Sequence, residues 1–273
     1  MLSITNHRLF VDSQPVPFIK SPNVGGELVP EYLVLHYTAG VTVQGAVATL
    51  TNPKSQVSAH LVIGRDGSLT QLVPFNQVAY HAGKSTWEGR SGLNDYSIGI
   101  ELDNAGRLTR QGGQWWDGFG HSFADDEVLE DTHKYGLEPY GWHIYPQAQI
   151  DRLLEVAVVL FQTYRLLEVV GHDDVAPRRK WDPGPAFPLD DFRSDLLSQV
   201  VVEQPRYQTT LSQPLRSGPG SVYKTVPGSP LPKSTLLEKL GHQGNWFLVQ
   251  ALDASGAPAG LSGWVYPSRV RKV

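Results

Sequence analysis

Tyr32-Leu33-Val34-Leu35-His36 is a short, continuous apolar run that ends on a histidine. Runs of this kind, without polar alternation, are typical of strands buried inside a sheet. A similar run, Ile98-Gly99-Ile100-Glu101-Leu102, carries a carboxylate near its end, and a third, Leu167–Val170, is followed by Gly171-His172. Because α/β folds place ligands and catalytic groups where strands end, these runs predict chemistry at His36, Glu101 and His172.

The segments between these runs predict an α/β unit. Residues 42–50 are predicted as a helix, and Val57–Ile63 and Leu69–Val73 flank an Arg65-Asp66-Gly67 turn of the type that closes a hairpin. From Pro146 to Leu166, apolar residues recur every three or four positions. This spacing predicts a long amphipathic helix that covers one face of the sheet.

The rest of the chain divides into parts of different character. The stretch Asn104–Tyr145 has little periodicity, and we expect a long loop that is functional or mobile. Phe192–Val202 is predicted as a final helix of the larger part. Beyond it, short β-type runs broken by Gly, Pro and Ser predict a small all-β barrel. We therefore expect a larger domain at residues 1–202 with its core at about 30–190, a linker at 203–208 and a small domain at 209–273.

Composition excludes several classes of protein. The chain has 273 residues, 18% of them charged, and a net charge of −4, so no basic field is present to hold a nucleic acid. Nowhere do about 18 apolar residues run together, so we predict no membrane span. The N-terminal residues show no signal peptide, so we expect a cytoplasmic protein, with export as a lysin-type enzyme left open. Nothing in the sequence indicates an oligomeric state.

The absence of cysteine limits the metal chemistry that the chain can support. With no Cys among its residues, a catalytic zinc site would need His and carboxylate ligands. His36, His172 and Asp182 form one such candidate set, with Asp182 in the rigid turn Asp182-Pro183-Gly184-Pro185. Lys180 would bring an ammonium group near this metal and could stabilise an oxyanion. The alternative is that His36 only ends a strand, Asp182 only forms a turn and Lys180 is solvated.

Glu101 also allows two interpretations. A partly buried carboxylate at the end of an apolar strand tends to have a raised pKa, which suits a general base. The alternative is an edge-strand glutamate in a surface salt bridge.

Five blocks of sequence occur together in the order found in a known family. They are Leu35–Ala39 (LHYTA), Val57–Gly67 (VSAHLVIGRDG), His81–Trp87 (HAGKSTW), Asn94–Glu101 (NDYSIGIE) and Gly171–Pro185 (GHDDVAPRRKWDPGP). Together they resemble the zinc N-acetylmuramoyl-L-alanine amidases related to AmpD and to the peptidoglycan recognition proteins. The resemblance covers about Tyr32 to Phe187.

The resemblance implies a fold, a cofactor and a reaction. The fold is a mixed central β-sheet flanked by helices, and the cofactor is Zn2+ held by His36, His172 and Asp182. Glu101 matches the carboxylate that activates the attacking water, and Lys180 matches the oxyanion stabiliser. The reaction implied is hydrolysis of the amide between N-acetylmuramic acid and L-Ala, in peptidoglycan or muropeptides.

The same resemblance places four further residues along a substrate groove. His60, His81, Trp87 and Asn94 would position sugar or peptide. His60 could instead be a hydrogen-bonded core residue, because it alternates with strand residues. His133, inside the long Asn104–Tyr145 stretch, is a weaker alternative to one of the metal ligands.

Two other functions are compatible with these motifs. One is a peptidoglycan-binding protein that has lost catalysis, which the presence of all three candidate ligands disfavours. The other is a zinc hydrolase that acts on a different amide.

The C-terminal part resembles bacterial SH3-like domains. The resemblance is carried by Leu215–Gly220 (LRSGPG), Gly244–Val249 (GNWFLV) and Gly263–Tyr266 (GWVY). Modules of this kind often hold cell-wall enzymes on peptidoglycan, and an exposed Trp246 or Trp264 could supply an aromatic platform. The alternative is that both tryptophans fill the core of the barrel, and for Trp264 we expect the core.

Overall fold

The computed structural model describes residues 1–200, 206–243 and 246–273, without the side chain of His242. The chain divides into two compact units. The first comprises Met1–Ser85 and Gly92–Val202, and the second comprises Thr86–Ser91 and Glu203–Val273. The short segment Thr86–Ser91 is therefore grouped with the C-terminal residues rather than with its neighbours in sequence.

The secondary structure of the described residues comprises short strands and four α-helices. The helices are α1 (Val43–Leu50), α2 (Gln147–Tyr164), α3 (His172–Val175) and α4 (Leu189–Gln199). The strands are β1 (Leu2–Thr5), β2 (Arg8–Val11), β3 (Gln14–Pro15), β4 (Val24–Glu27), β5 (Tyr32–Tyr37), β6 (Leu61–Ile63), β7 (Leu69–Gln71), β8 (Gln77–Ala79), β9 (Thr86–Trp87), β10 (Arg90–Ser91), β11 (Ser97–Leu102), β12 (Arg107–Gln111), β13 (Gln114–Trp116), β14 (Ser122–Phe123), β15 (Val128–Thr132), β16 (Pro139–His143), β17 (Glu168–Gly171), β18 (Arg206–Thr209), β19 (Leu236–Gln243), β20 (Trp246–Leu252), β21 (Pro258–Val265) and β22 (Val270–Lys272).

The central sheet of the first unit is mixed, as the resemblance implied. Its five strands lie in the order β17-β5-β11-β6-β7. The first four are parallel to their neighbours, and β7 returns antiparallel to β6 as the predicted hairpin. The register places Glu101 beside His36 and Gly171 beside Leu35. The carboxyl ends of three adjacent strands thus carry His36, Glu101 and, directly after β17, His172.

Helices cover both faces of this sheet. On β6, Leu61 and Ile63 belong to the same apolar cluster as the buried face of α2, whereas Val62 belongs to the cluster of α1. Alternate residues of a strand point to opposite faces of the sheet. All three residues of β6 are apolar because both faces of the sheet are buried. Each fully buried Leu, Ile or Val contributes roughly 1.5–3 kcal/mol. The sheet edge with the polar side chains is therefore fixed by a packed core.

The Asn104–Tyr145 stretch differs from its prediction as a long loop. It forms a five-stranded antiparallel sheet in the order β14-β13-β12-β16-β15, which we call the insert sheet. A small core of its own holds it together, made of Ala105, Leu108, Trp115 and Phe123. The strands are two to five residues long and mostly exposed, so they lack the apolar alternation by which strands are recognised.

The second unit contains the predicted β-structure. Its five-stranded antiparallel sheet has the order β21-β20-β19-β18-β22. The predicted linker at 203–208 is partly wrong, because Arg206–Gln208 lie in β18; residues 203–205 lie outside the described residues. None of the described helices has the length and apolar character needed to cross a membrane.

Trp264 lies on the outer face of this sheet. The inner face supplies a core that includes Phe247, Val249 and Val265. Trp264 is half-buried, lies opposite Leu248 in the ladder and does not belong to that core. The expectation that Trp264 fills the core is therefore wrong.

Candidate metal centre

His36, His172 and Asp182 converge on one point at the carboxyl edge of the central sheet. Nδ1 of His36 lies 2.8 Å from Nδ1 of His172 and 2.9 Å from Oδ2 of Asp182. Nδ1 of His172 lies 2.8 Å from the same carboxylate oxygen. All three residues are buried, with exposed fractions of 2%, 2% and 6%. The structure thus brings together the three residues that the sequence predicted as metal ligands.

A folded-back loop carries Asp182 to the two histidines. Asp182 follows His172 by ten residues, and its carbonyl oxygen accepts a hydrogen bond of 2.8 Å from the backbone N–H of Asp173. The hydroxyl of Tyr145 donates to the carbonyl of Pro183 over 2.8 Å. These contacts hold the backbone carbonyls of Asp182 and Pro183, so the loop positions the Asp182 carboxylate.

Hydrogen bonds on the far side of each imidazole fix its tautomer. Nε2 of His172 lies 3.1 Å from the carbonyl oxygen of Ala82, which only accepts, so this nitrogen carries the proton. Nε2 of His81 faces two acceptors, the carbonyl of Ser97 at 3.3 Å and the Ser97 hydroxyl, which itself donates to Leu93. His81 therefore accepts at Nδ1 from Nε2–H of His36, over 3.0 Å.

This assignment leaves three lone pairs facing one another. In the neutral imidazoles, Nδ1 of His36 and Nδ1 of His172 carry no proton, and Oδ2 of Asp182 is an acceptor. Three acceptors within 2.8–2.9 Å repel unless a cation lies among them. The described residues contain one group of His and carboxylate side chains able to hold a metal ion, and it is this one. Two imidazoles and a carboxylate fit a divalent transition metal.

The electrostatics keep these groups in the protonation states that ligands need. Burial, together with the electrostatic effect of the neighbouring His172, lowers the pKa of His36 to about 4. Burial alone would raise the pKa of Asp182, but an imidazole of His172 or His36 that gains a proton at Nδ1 donates it to this carboxylate, which holds the pKa well below its usual range. At neutral pH, His36 is therefore neutral and Asp182 is ionised.

Glu101 lies beside the candidate metal ligands and has an unpaired oxygen. Its Oε2 is inaccessible to water and has no hydrogen-bond partner among the described residues. Burial, with the negative charge of Asp182 adding to it, raises the pKa of Glu101 well above its usual range, and the positive charge of Lys180 opposes the rise. Buried carboxylate oxygens are normally paired, so this one is placed to bind something that enters the site.

Lys180 lies at the same edge of the sheet. Its side chain is half-buried and has no ion pair or hydrogen bond within the described part of the chain. Its charge acts on both Glu101 and His36, lowering the pKa of each. The ammonium group is therefore near the converging ligands and is not neutralised by a partner.

The four residues predicted to line the substrate groove do not share one role in the structure. His60 is fully buried, donates from Nε2 to the carbonyl of Gln77 and accepts at Nδ1 from the backbone N–H of Gly99. Both of its nitrogens are used within the core, so the structure contradicts a substrate contact for His60. Oδ1 of Asn94 accepts from the backbone N–H groups of His81 and Ala82, and thereby shapes the turn that supports both imidazoles.

The other two residues predicted to line the groove are His81 and Trp87. His81 bonds the candidate ligand His36 on the side away from Asp182, and no local pattern in the sequence indicates this contact. Trp87 lies on β9, in the segment grouped with the second unit, and its substrate contact stays a prediction. His133 is buried, bonds Asp173 at 2.8 Å and takes no part in the metal group, so it does not replace a ligand.

Arg179 is a supporting residue that sequence reasoning missed. Its Nη2 donates to the carbonyls of Ala82 and Lys84, both at 2.7 Å. The carbonyl of Ala82 is the group that fixes the tautomer of His172. The sequence shows Arg179 only as part of a basic run. A run of charges does not show which of its side chains donates hydrogen bonds to the backbone.

Comparison with known proteins identifies the family to which this site belongs. A family model described as N-acetylmuramoyl-L-alanine amidase matches residues 26–185, which include all three converging ligands, Glu101 and Lys180. The chain belongs to this amidase family. Curated relatives of the chain are named as N-acetylmuramoyl-L-alanine amidases.

Two curated amidases are similar to the chain over the matched region. The N-acetylmuramoyl-L-alanine amidase AmiD of Escherichia coli is 36% identical over 165 residues, which are 57% of this chain and 49% of AmiD. The 1,6-anhydro-N-acetylmuramyl-L-alanine amidase AmpD of Salmonella typhimurium is 35% identical over 141 residues, 51% of this chain and 57% of AmpD. The chain thus spans about half the length of these amidases.

A solved amidase structure supports the fold. The crystal structure of a selenomethionine derivative of AmpD is 27% identical and covers 70% of this chain and 98% of its own, with a TM-score of 0.50. The mixed sheet of the first unit is therefore the fold of the amidase family.

Proposed function

We propose that the protein is a zinc-dependent N-acetylmuramoyl-L-alanine amidase that cuts the amide between N-acetylmuramic acid and the L-Ala of peptidoglycan or muropeptides. One observation carries the proposal: three acceptor atoms meet within 2.8–2.9 Å. The unpaired oxygen of Glu101 lies at the same sheet edge. Family membership supplies the amide bond as the target.

The metal of this proposal is Zn2+, held by His36, His172 and Asp182. Zinc accepts imidazole nitrogen and carboxylate oxygen, and catalytic zinc sites use three protein ligands. When bound, zinc polarises an amide carbonyl and makes a water molecule more acidic, which an unactivated amide requires. His172 donates a hydrogen bond to the carbonyl of Ala82, and His36 donates one to Nδ1 of His81. These bonds hold both imidazoles in the orientation that metal binding needs.

Glu101 transfers protons during the reaction, and Lys180 stabilises negative charge. Glu101 accepts a proton from the attacking water and returns it to the departing amine, and the burial that raises its pKa makes it a stronger base than an ordinary carboxylate. The unpaired ammonium of Lys180 stabilises negative charge that develops on the carbonyl oxygen. The substrate is a muropeptide or the peptidoglycan itself.

Product analysis tests this function. Purified protein should release the intact stem peptide from a defined N-acetylmuramoyl-peptide, with cleavage only at the bond to L-Ala, as measured by mass spectrometry. Prior treatment with a chelator should abolish release and one equivalent of Zn2+ should restore it, because His36, His172 and Asp182 would hold the metal on which the reaction depends.

Two results would contradict the proposal. Cleavage that survives complete metal removal would exclude the metal-dependent mechanism. Protein that holds one zinc but releases no stem peptide would make it a binding protein or a hydrolase of another amide.

We also propose that the second unit is an SH3-like module that binds peptidoglycan. Trp246, Trp264 and Tyr266 support this proposal. The rings of Trp246 and Tyr266 meet at 5.5 Å, and Trp264 lies on the outer face of the same pair of strands. Aromatic rings on an outer face are suited to stacking on sugar rings.

Binding to cell-wall material tests the module. Trp264→Ala in the full chain should reduce the fraction of protein that sediments with purified sacculi several-fold, while hydrolysis of a small muropeptide stays unchanged. Tyr223→Ala is the matched control, because Tyr223 is a 45% exposed aromatic residue of the same unit outside that face. Equal sedimentation of the Trp264 variant and the parent protein would overturn the module's assignment.

A further inference from the structure

One face of the insert sheet lies against the loop that carries Asp182. Trp142 on β16 packs against Trp181, with ring centroids 6.5 Å apart. A Cβ at Gly184 would lie 2.8 Å from the Trp142 ring. Arg107 on β12 is directly opposite Trp142 in the antiparallel register, and residues so paired point to the same face. Arg107 therefore lies on the face that meets the Asp182 loop.

Two aromatic rings hold the guanidinium of Arg107. Its Cζ lies 4.7 Å from the ring centroid of Tyr140 and 5.1 Å from that of Trp181. Cation–π contacts of this kind fix the plane of a guanidinium without using its N–H groups. The five N–H donors of Arg107 thus stay available in a defined orientation.

Arg107 has no acidic partner, unlike the next arginine on its strand. The side chain of Arg107 is exposed and makes no ion pair or side-chain hydrogen bond among the residues that the structure describes. Arg110, three residues on, pairs with Asp125 at 3.4 Å. An unpaired but oriented guanidinium matches the planar geometry of a carboxylate.

Contacts on both sides place Arg107 next to the metal centre. Trp181, which packs on its guanidinium, directly precedes Asp182. The backbone at Gly106 packs against the ring of Tyr37, so closely that a Cβ there would collide with it, and Tyr37 directly follows His36. The charges of both Asp182 and Arg107 affect the pKa of Tyr37, which burial raises. Arg107 is thus close to the reacting centre but is not one of its ligands.

We propose that Arg107 binds the free α-carboxylate of the γ-linked glutamate that follows L-Ala in the stem peptide. This inference rests on the proposed function. A γ-linked glutamate keeps its α-carboxylate, and this is the first charge beyond the scissile amide, roughly two residues or 7 Å along the peptide. In isoglutamine this group is an uncharged amide, in which an NH2 donor replaces one of the two acceptor oxygens and faces the donors of Arg107. Arg107 is therefore a specificity-determining residue for acidic over amidated stems.

A matched pair of substrates tests the proposal. Both are N-acetylmuramoyl-L-Ala tripeptides with a C-terminal amide, and they differ only in D-glutamate or D-isoglutamine at the second position. The parent protein should show a kcat/KM for the glutamate substrate that is roughly 10- to 100-fold higher, as expected for a charge-assisted hydrogen bond. Arg107→Gln should remove this preference and leave hydrolysis of the isoglutamine substrate within about threefold of the parent.

Arg110→Gln is the matched control, and it should keep the preference because Arg110 is already paired with Asp125. Equal losses on both substrates in Arg107→Gln would show a structural role and overturn the proposal, as would a parent protein that does not discriminate between them. If the parent protein cleaves neither substrate, the proposed function fails and this inference fails with it. Cleavage of both at equal rates leaves the amidase function intact and removes only the role of Arg107.

Discussion

Replacing Asp182 with asparagine is expected to abolish zinc binding and to lower amidase activity by at least ~10³-fold. The substitution keeps the shape of the side chain but removes the negative charge that faces Nδ1 of both histidines. Asparagine is also a poor zinc ligand, because its oxygen is neutral. A metal that stabilises the transition state by several kcal/mol accounts for at least three powers of ten in rate.

Zinc content and thermal stability measure this effect separately from activity. The parent protein should hold about one zinc and unfold at a higher temperature when zinc is added, because a ligand that binds only the folded state stabilises it. Asp182→Asn should hold little zinc and show no such shift. Asp117→Asn is the matched control, since Asp117 also bonds a histidine, His121 at 2.8 Å, outside the metal group. Full zinc content in Asp182→Asn would exclude Asp182 as a ligand.

The ligand set could be named as a candidate because each member has a local signal, and the resemblance to the zinc amidases selected it over the alternative. His36 and His172 come directly at the ends of apolar runs, and parallel strands bring their carboxyl ends to one sheet edge. Asp182 precedes a rigid Pro-Gly-Pro turn. These features depend on neighbours in sequence, so a single sequence contains them.

The supporting residues could not be predicted because their partners are distant in sequence. His81 bonds His36 across 45 residues, and Arg179 reaches the carbonyl of Ala82 across 97. Nothing near His81 distinguishes a residue that lines a groove from one that holds a ligand. The sequence could not decide between groove and core for His60 for the same reason, because its two backbone partners come from other strands.

The insert sheet was missed for a different reason. Its strands β14 and β15 are short and largely exposed, so few of their side chains are apolar. Period-two patterning indicates a strand only where one face is buried. The pairing of Arg107 with Trp142, on which its position beside the site depends, follows from the register of β12 and β16 alone.

Glu101→Gln is expected to keep the zinc and to lower kcat by at least ~10²-fold. Glutamine has the same shape, but it cannot accept a proton from water and return it to the departing amine, and general acid–base catalysis contributes typically 10²- to 10⁴-fold. The ligands His36, His172 and Asp182 are unchanged, so zinc content should equal that of the parent protein. Glu155→Gln, at an exposed glutamate on α2 that pairs with Arg152, should leave kcat unchanged. Near-parental turnover of Glu101→Gln would remove Glu101 from the mechanism.

The same substitution should stabilise the metal-free protein at neutral pH. The pKa of Glu101 is raised in the folded state, so folding disfavours its ionised form. This penalty is absent below the unfolded-state pKa of about 4.3 and grows as pH rises above it. Chelated Glu101→Gln should therefore have a higher Tm than the chelated parent at pH 7, and the same Tm near pH 4. If Glu101 is a proton acceptor whose burial destabilises the fold, the substitution lowers kcat and raises Tm. If Glu101 has only a structural role, the substitution lowers both.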